Sequence, residues 1–455
     1  MKRKRAVLVA LTVASAVGLT TACGSSGGTS SSGKGVDFSG TPKGTMSAWA
    51  FDNADDVGKA RIADAKQALS GVTIKMDQTG FDSQKFTTRV AGGAVPDVVQ
   101  MDRQFVATYA AQGLILPLDK CYSAHKVDPK QRFYKSVLDD VTYKNQVWAV
   151  PQFYQPPAII LNKTVMDAAG VTNDEIDTSK PDVLLAAIKK MYKTSGGVPS
   201  VLGFDAVPTG QTNQWVIGLG GQLIDKDGKP TLDNSNNVYP LELMKRIVDA
   251  QGGWAKDKSF TDRFDVFGGK NQYVKNQVGA QVNAQWYPNV LSPYKDQIKI
   301  EAVPFKDKSG NPVSVTGGSA FVVPAKAKNP TAGCAWAVRL TDEANWLAAG
   351  KARAATLAQN KGINTGLFTG SPDADKKIRE LYVKSSGNAG FDQVISTYYD
   401  VVGTGKSFGA SPVGQTIQSA LINAVTATLL GQKSAKDALK AAQQQAMNDY
   451  NRTAH

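Results

Sequence analysis

The sequence predicts an α/β fold, because short apolar strands alternate with helices in the first part of the chain. Residues 45–51, 72–76 and 96–101 are apolar runs of strand length. Between them, apolar or small residues recur at helical spacing over 57–69, and a second helix over 86–91 ends at two glycines. This strand–helix order predicts parallel strands joined by helical crossovers.

The same alternation continues further along the chain, and the C-terminal third is mostly helical. A long helix is predicted to begin near Pro181, and Ser434 with Asp437 predicts the start of the last helix. The remaining predicted strands are 147–151, 158–162, 278–284 and 319–324, and the remaining predicted helices are 332–340, 415–430 and 434–450.

Polar residues follow the first three predicted strands, and these are candidate ligand-binding groups. In parallel sheets, ligands bind beyond the carboxyl ends of the strands. The candidates are Asp52 and Asn53 after the first strand, Asp82 after the second and Asp102 after the third. Aspartates at such positions also cap helices, so this alternative stays open.

Charge and composition exclude several classes of function. The 455 residues carry a net charge of +13, but the basic residues are dispersed, whereas a nucleic-acid binder has a basic stripe with interleaved aromatics. Only two histidines occur, His125 and His455, so neither a histidine-based triad nor a multi-histidine metal site is expected. We expect no cofactor, no metal and no nucleic-acid partner.

Residues 1–22 have the pattern of a bacterial signal peptide, with a basic head and an apolar stretch too short to span a bilayer. Residues 23–40 then read as a flexible tether rich in glycine and serine. Cys23 at the junction resembles the lipobox of bacterial lipoproteins, although Thr20 stands where that family usually has leucine. The resemblance implies a lipid on Cys23 and an extracellular location on the cell membrane. Ordinary secretion is the alternative.

Cys121 and Cys334 remain once Cys23 is set aside. They are candidates for a disulfide in an oxidising compartment, and two buried thiols are the alternative. The sequence leaves this choice open, because it does not show whether the two residues lie within reach.

Several stretches, in order, resemble the extracellular solute-binding proteins of bacterial ABC importers. The resemblance is to the sugar-binding, maltose-binding-protein-like group, and it covers nearly the whole chain after the tether. These stretches include 92–99, 147–151, 279–286 and 317–324; each alone is a weak signal, and their joint order is much more specific.

The resemblance implies a two-lobed periplasmic-binding-protein-like fold, in which hinge segments join the lobes and the ligand lies between them. Lobe one is expected to hold 41–153 and 280–323, and lobe two 154–279 and 324–455. The implied protein is a monomeric receptor, not an enzyme. It binds a mono- or oligosaccharide by lobe closure and delivers the sugar to an ABC permease.

Carbohydrates stack on aromatic rings and hydrogen-bond to planar polar side chains. Trp286 matches the position where the family often places a stacking tryptophan. The further candidates in the implied cleft segments are Gln285, Trp215, Asn213, Tyr154 and Gly318. For Trp215 a place in the core is an equal alternative, and a turn is the equal alternative for Gly318.

Other functions stay open on the same scaffold. The cargo is alternatively a polyamine or a peptide, since acidic and aromatic side chains also suit amines. A ferric ion is a further alternative, suggested by the pair Tyr398 and Tyr399. A secreted glycosidase is less favoured, because no spacing singles out a pair of carboxylates. An adhesive surface lipoprotein is the last alternative.

Overall fold

The computed structural model describes residues 36–51, 55–206, 211–315, 317–360 and 362–453. The predicted signal peptide, Cys23, Asp52 and Asn53 lie outside these ranges, as do residues 24–35 of the predicted tether. Within the described ranges, every helix is too short or too polar to cross a membrane.

Two five-stranded sheets form the framework of the unit that spans Asp37 to His455. The strands are β1 Gly44–Trp49, β2 Val72–Asp77, β3 Val98–Asp102, β4 Thr142–Tyr143, β5 Gln146–Val147, β6 Val150–Pro151, β7 Pro157–Asn162, β8 Lys193–Ser195, β9 Val198–Asp205, β10 Val278–Ala284, β11 Ile300–Val303, β12 Ser314–Val315, β13 Ser319–Val322 and β14 Gly405–Lys406. The helices are α1 Asp56–Ala68, α2 Ser83–Ala91, α3 Val106–Ala111, α4 Asp119–Ala124, α5 Pro129–Arg132, α6 Lys135–Asp139, α7 Lys163–Ala168, α8 Pro181–Met191, α9 Thr212–Gly218, α10 Val238–Asp249, α11 Trp254–Thr261, α12 Tyr287–Leu291, α13 Pro330–Leu340, α14 Glu343–Gln359, α15 Pro372–Tyr382, α16 Ala389–Val401, α17 Gly414–Leu429 and α18 Ala435–Thr453.

The first sheet has the strand order β2-β1-β3-β13-β6 and forms lobe one. β1 pairs in parallel with both β2 and β3, as the sequence predicts, and β13 returns antiparallel to β3. β1 ends at Trp49 rather than at residue 51, because Ala50 adopts a left-handed backbone with φ of 67°.

The second sheet has the order β11-β7-β10-β9-β8 and forms the centre of lobe two. β10 lies between antiparallel β7 and parallel β9, and all of its residues are buried. One face of the sheet packs on α8, α10, α17 and α18, and the other packs on α12 and α16. At the start of α18, the Asp437 amide donates to the Ser434 hydroxyl at 3.1 Å, which is the predicted capping contact.

The lobe boundaries differ from those expected after residue 279. β10 and β11 belong to the second sheet, so the chain returns to lobe one at 314–318 rather than near residue 280. α13 and α14 pack against β1, β3 and α1, so residues 330–359 belong to lobe one and not to lobe two. The cause is long-range: α13 supplies the apolar cover of the parallel strands, which no local pattern shows.

Cys121 and Cys334 form a disulfide with their Cα atoms 5.9 Å apart, which resolves the alternative left open by the sequence. Both residues are fully buried and join α4 to α13 within lobe one. The bond therefore fixes α13 to its lobe and does not cross between the lobes.

Candidate functional site

A cleft cavity of about 440 Å³ lies between the two lobes. Asp102 at the end of β3 and the Gly317–Gly318 turn before β13 line it from lobe one. The other lining side chains are six amides and five apolar groups: Gln104, Gln155, Gln211, Asn213, Gln214, Ala284, Trp286, Val315, Phe408, Gln418 and Ile422. The cleft thus combines apolar surface with neutral hydrogen-bonding groups.

Trp286 is the large aromatic side chain of this cleft. It lies in the turn between β10 and α12 and is partly exposed. Its ring stacks on Phe267 with centroids 5.9 Å apart and meets Tyr287 nearly perpendicularly at 5.6 Å. These neighbours fix the plane of the indole, so the ring is oriented before any ligand arrives.

Asn213 and Asp102 bring polar groups to opposite sides of the cleft. Asn213 lies in the first turn of α9, and its Oδ1 atom is buried without a hydrogen-bond partner among the described residues. The Asp102 side chain is exposed at the carboxyl end of a parallel strand. Two hydroxyls of one ligand can therefore donate to these acceptors, one in each lobe.

A smaller cavity of about 220 Å³ adjoins the cleft behind Trp286. Gln285 and Arg353 line it, and Arg353 Nε donates to Asp56 at 2.9 Å. Burial raises the pKa of Asp56, but the hydrogen bond and charge of Arg353, together with hydrogen bonds from the Val57 amide and Thr356, outweigh it and hold the pKa below its usual range. The guanidinium is thus engaged in an ion pair at the cavity wall.

A buried ion pair holds the hinge together. Arg103 Nε lies 3.1 Å from Asp140 Oδ2, and both side chains are fully buried. The guanidinium also donates to the carbonyls of Phe153 at 2.9 Å and Gly317 at 2.8 Å, while Asp140 accepts from the Ser407 hydroxyl. One ion pair therefore positions three separate chain segments beside the cleft.

The structure places several predicted residues in the cleft or beside it. Trp286, Asn213, Asp102 and Gly318 line the cleft cavity, and Gln285 lines the adjoining one. Gly318 has a φ of 140°, and a Cβ there would collide with the Phe153 carbonyl and the Arg103 guanidinium. Only glycine therefore fits at position 318 in the packed hinge.

Asp82 lies in a neighbouring cavity of about 430 Å³ on lobe one, which shares Asp102 with the cleft. Its carboxylate accepts from the Lys85 amide at 2.6 Å and caps α2, which was the alternative role. Asp82 is thus near the cleft but does not line it.

Trp215 and Tyr154 do not lie in the cleft as the sequence analysis predicted, because both side chains are fully buried. The Trp215 indole N–H donates to the Ala206 carbonyl at 2.5 Å, and the Tyr154 hydroxyl donates to the Val402 carbonyl at 3.0 Å. Trp215 is a core residue of lobe two, and Tyr154 stacks on Tyr134 at the hinge. Neither ring faces the cleft cavity.

Five amides of the cleft were missed by the sequence reasoning: Gln104, Gln155, Gln211, Gln214 and Gln418. The signal for Gln155 was present, because it follows buried Tyr154 in an extended segment, where successive side chains point to opposite sides. Gln418 and Ile422 are four residues apart on α17, and Ile422 lies off the buried stripe of that helix with 43% exposure.

The tyrosine pair that suggested an iron cargo lies away from the cleft lining. Tyr398 is buried, and its hydroxyl donates to the Asn283 carbonyl at 2.8 Å. In the part of the chain that the structure describes, no three His, Cys, Asp or Glu side chains are grouped to hold a metal ion.

Residues 55–349 match the family of bacterial extracellular solute-binding proteins. The match covers more than half of the 455 residues, so the chain belongs to this family of binding proteins. The resemblance to solute-binding proteins and the extracellular location are thereby confirmed. No curated protein sequence matches the chain significantly.

Solved structures of binding proteins share the two-lobed fold. CpMnBP1 with mannobiose bound has a TM-score of 0.70 at 20% identity, covering 89% of this chain and 100% of that chain. An ABC substrate-binding protein of Listeria monocytogenes in complex with cycloalternan has a TM-score of 0.69 at 15% identity, covering 90% and 99%. The GacH receptor of Streptomyces glaucescens, solved unliganded and with acarbose, has a TM-score of 0.62 at 19% identity, covering 90% and 99%.

Proposed function

We propose that this protein is the carbohydrate receptor of an ABC importer and carries out no chemistry on its ligand. The observation that carries the proposal is Trp286, a partly exposed indole packed against Phe267 in a cleft that also presents six amide side chains. A sugar ring needs this combination, because its C–H face stacks on an aromatic ring while its hydroxyls require donors and acceptors. The mannobiose, cycloalternan and acarbose complexes of similar folds support the choice.

Binding is coupled to closure of the lobes. Asp102 belongs to lobe one and Trp286 to lobe two, so a single sugar contacts both only when the lobes approach each other. The ligand stabilises the closed conformation by the contacts that this conformation alone makes. The closed form then docks on the membrane permease and releases its cargo there.

The protein is held at the extracellular face of the membrane by a lipid on Cys23. The signal-like residues 1–22 and the glycine- and serine-rich residues that follow support this part of the proposal. Replacing Cys23 by Ser should move the protein from the membrane fraction of cells to the culture medium. Membrane retention of the Cys23→Ser protein would contradict the lipid anchor and leave the receptor function untouched.

A thermal-shift screen tests the receptor function. The purified chain is melted with mannose, glucose, maltose, mannobiose, maltotriose and mannotriose, alongside spermidine and a tripeptide. A ligand at a hundredfold excess over its Kd stabilises the folded state by about 2.7 kcal/mol, which raises the melting temperature measurably. We expect a rise with at least one saccharide and none with the amines.

Two substitutions of Trp286 test whether the saccharide that raises the melting temperature binds in the cleft. Trp286→Ala should abolish the saccharide shift, whereas Trp286→Phe should retain part of it because a ring remains. A shift unchanged in Trp286→Ala, or a shift produced by spermidine alone, would overturn the proposal.

A further inference from the structure

A further cavity of about 360 Å³ opens in lobe two beside the cleft. We call it the lobe-two pocket. Its volume falls in the range of small-molecule sites, about 300–1,000 Å³. Its lining residues are Asp205, Thr212, Trp254, Lys258, Thr261, Asp262, Phe264, Val266, Gln272, Gln281, Asn283, Ile422, Val425, Thr426 and Leu429.

The lobe-two pocket continues the cleft, because the same three elements wall both cavities. On α9, Thr212 lines the pocket and the next residue lines the cleft. The end of β10 does the same with Asn283 and Ala284. Ile422 on α17 lines both cavities. The two cavities therefore adjoin each other, and Ile422 lies at their boundary.

A buried polar network forms the inner wall of the pocket. Asp205 accepts from Gln281 Nε2 at 2.7 Å, and Gln281 Oε1 accepts from Gln272 Nε2 at 2.9 Å and from Asn283 at 2.8 Å. Gln272 is 1% exposed, yet its Oε1 atom has no hydrogen-bond partner among the described residues. A buried acceptor without a donor destabilises the folded chain, and a ligand hydroxyl would satisfy it.

The opposite walls are apolar and the mouth carries paired charges. Trp254 and Phe264 present aromatic rings, and Val425 with Leu429 completes the apolar surface. Lys258 and Asp262 form an ion pair one helical turn apart, so their charges offset each other. Asp205 adds a further carboxylate, but it is buried and accepts from Gln281. Aromatic rings facing a buried polar network suit a polyhydroxylated ring better than a fatty chain.

We propose that the lobe-two pocket is a subsite for a terminal sugar ring, so that the solutes of this receptor are oligosaccharides rather than monosaccharides. The inference rests on the proposed receptor function. One ring of the ligand lies against Trp286 in the cleft, and another enters the pocket past Ile422, with a hydroxyl donating to Gln272 Oε1.

Variants that fill the pocket test this subsite. Thr426→Phe on α17 and Thr261→Phe on α11 place a ring in the cavity from different walls, and both threonines are only partly buried. Asn423→Phe adds the same ring to an exposed position of α17 that does not line the pocket, and serves as the matched control. Calorimetry measures the Kd of each protein for mannose, mannotriose, glucose and maltotriose.

We expect the unmodified chain to bind one of the trisaccharides at least about tenfold more tightly than its monosaccharide. The two filling variants should lose this preference while keeping the monosaccharide affinity, and Asn423→Phe should keep it. Retained monosaccharide binding also shows that the filled variants are folded.

The remaining outcomes separate failure of the subsite from failure of the receptor function. Equal affinity for mono- and trisaccharides, or an unchanged preference in both filling variants, would overturn the subsite while leaving the receptor function in place. Absence of binding to every saccharide tested would overturn both.

Discussion

Trp215 and Trp286 stand in similar sequence surroundings in lobe two but in opposite physical environments. Each is preceded by polar amides, Gln214 in one case and Gln285 in the other. Trp215 has no exposed surface and meets Phe305 perpendicularly with ring centroids 5.0 Å apart. Trp286 is partly exposed and reaches the cleft.

The difference lies in what the flanking amides do. The Gln214 side chain turns inward, donates to the Val313 carbonyl at 3.0 Å and accepts from the Val315 amide at 2.6 Å. Although Gln214 lines the cleft cavity, its side chain joins α9 to residues 313 and 315, and it does not indicate that the neighbouring Trp215 is exposed. Trp286 gains its exposure from its place in a turn after a strand. The position within the local structure, rather than the polarity of the neighbours, separates the core ring from the cleft ring.

The largest expected effect comes from Trp215→Ala, which tests the core half of the comparison. Removing a fully buried tryptophan should lower the free energy of unfolding by about 3–5 kcal/mol, because a cavity replaces the ring. Urea denaturation measures this loss. Trp286→Ala, the matched change at the cleft, should cost at most about 1.5 kcal/mol. Equal losses of unfolding free energy in the two variants would contradict the assignment of Trp215 to the core and Trp286 to the cleft.

The buried carboxyl group of Asp257 in lobe two should make the free energy of unfolding depend on pH. Burial, with Asp205 and Asp249 nearby, raises the pKa of Asp257 to about 8. The folded chain then keeps a proton that the unfolded chain loses near pH 4. The free energy of unfolding should therefore fall as the pH rises from about 4 to about 8, by at most about 1.4 kcal/mol per pH unit.

Asp257→Asn should flatten this slope, measured by urea denaturation at pH 5, 6.5 and 8. Some slope should remain, because burial also raises the pKa of Asp140 to about 6 and of Asp375 to about 7. An identical pH slope in Asp257→Asn would show that this carboxyl does not retain its proton in the folded chain.

The smallest expected effect belongs to Asp102→Asn at the cleft. The substitution keeps the shape but removes the charged acceptor, so it should weaken saccharide binding by about 1–2 kcal/mol. The melting temperature without ligand should stay nearly constant, since the side chain is exposed. Calorimetry and melting curves measure both effects. A large loss of stability with unchanged affinity would show that Asp102 stabilises the fold, like Trp215, and does not contribute to saccharide binding.

Much of the fold was predictable, because its signals are local. The alternation over residues 45–101 correctly predicted parallel strands, and Ser434 with Asp437 correctly predicted the last helix. The lobe boundaries were not predictable in the same way. The place of β10 between β7 and β9, and of α13 on lobe one, depends on contacts between residues far apart in sequence.

The site was predicted in part for the same reason. Trp286 and Asp102 follow strand ends, and this rule brought both to the cleft. Burial of Trp215 and Tyr154 depends on distant partners, Phe305 and Val402, which the local sequence does not reveal. The lobe-two pocket was not foreseen, since its walls come from elements far apart along the chain.

The covalent link between Cys121 and Cys334 has a consequence for how the protein is made. It closes a loop across 213 positions of sequence, and that loop contains most of lobe two. Cross-linking so long a loop restricts the unfolded chain by about 5 kcal/mol in the chain-entropy account. Lobe one should therefore reach full stability only after export from a reducing cytoplasm, and material expressed there should mature when oxidised.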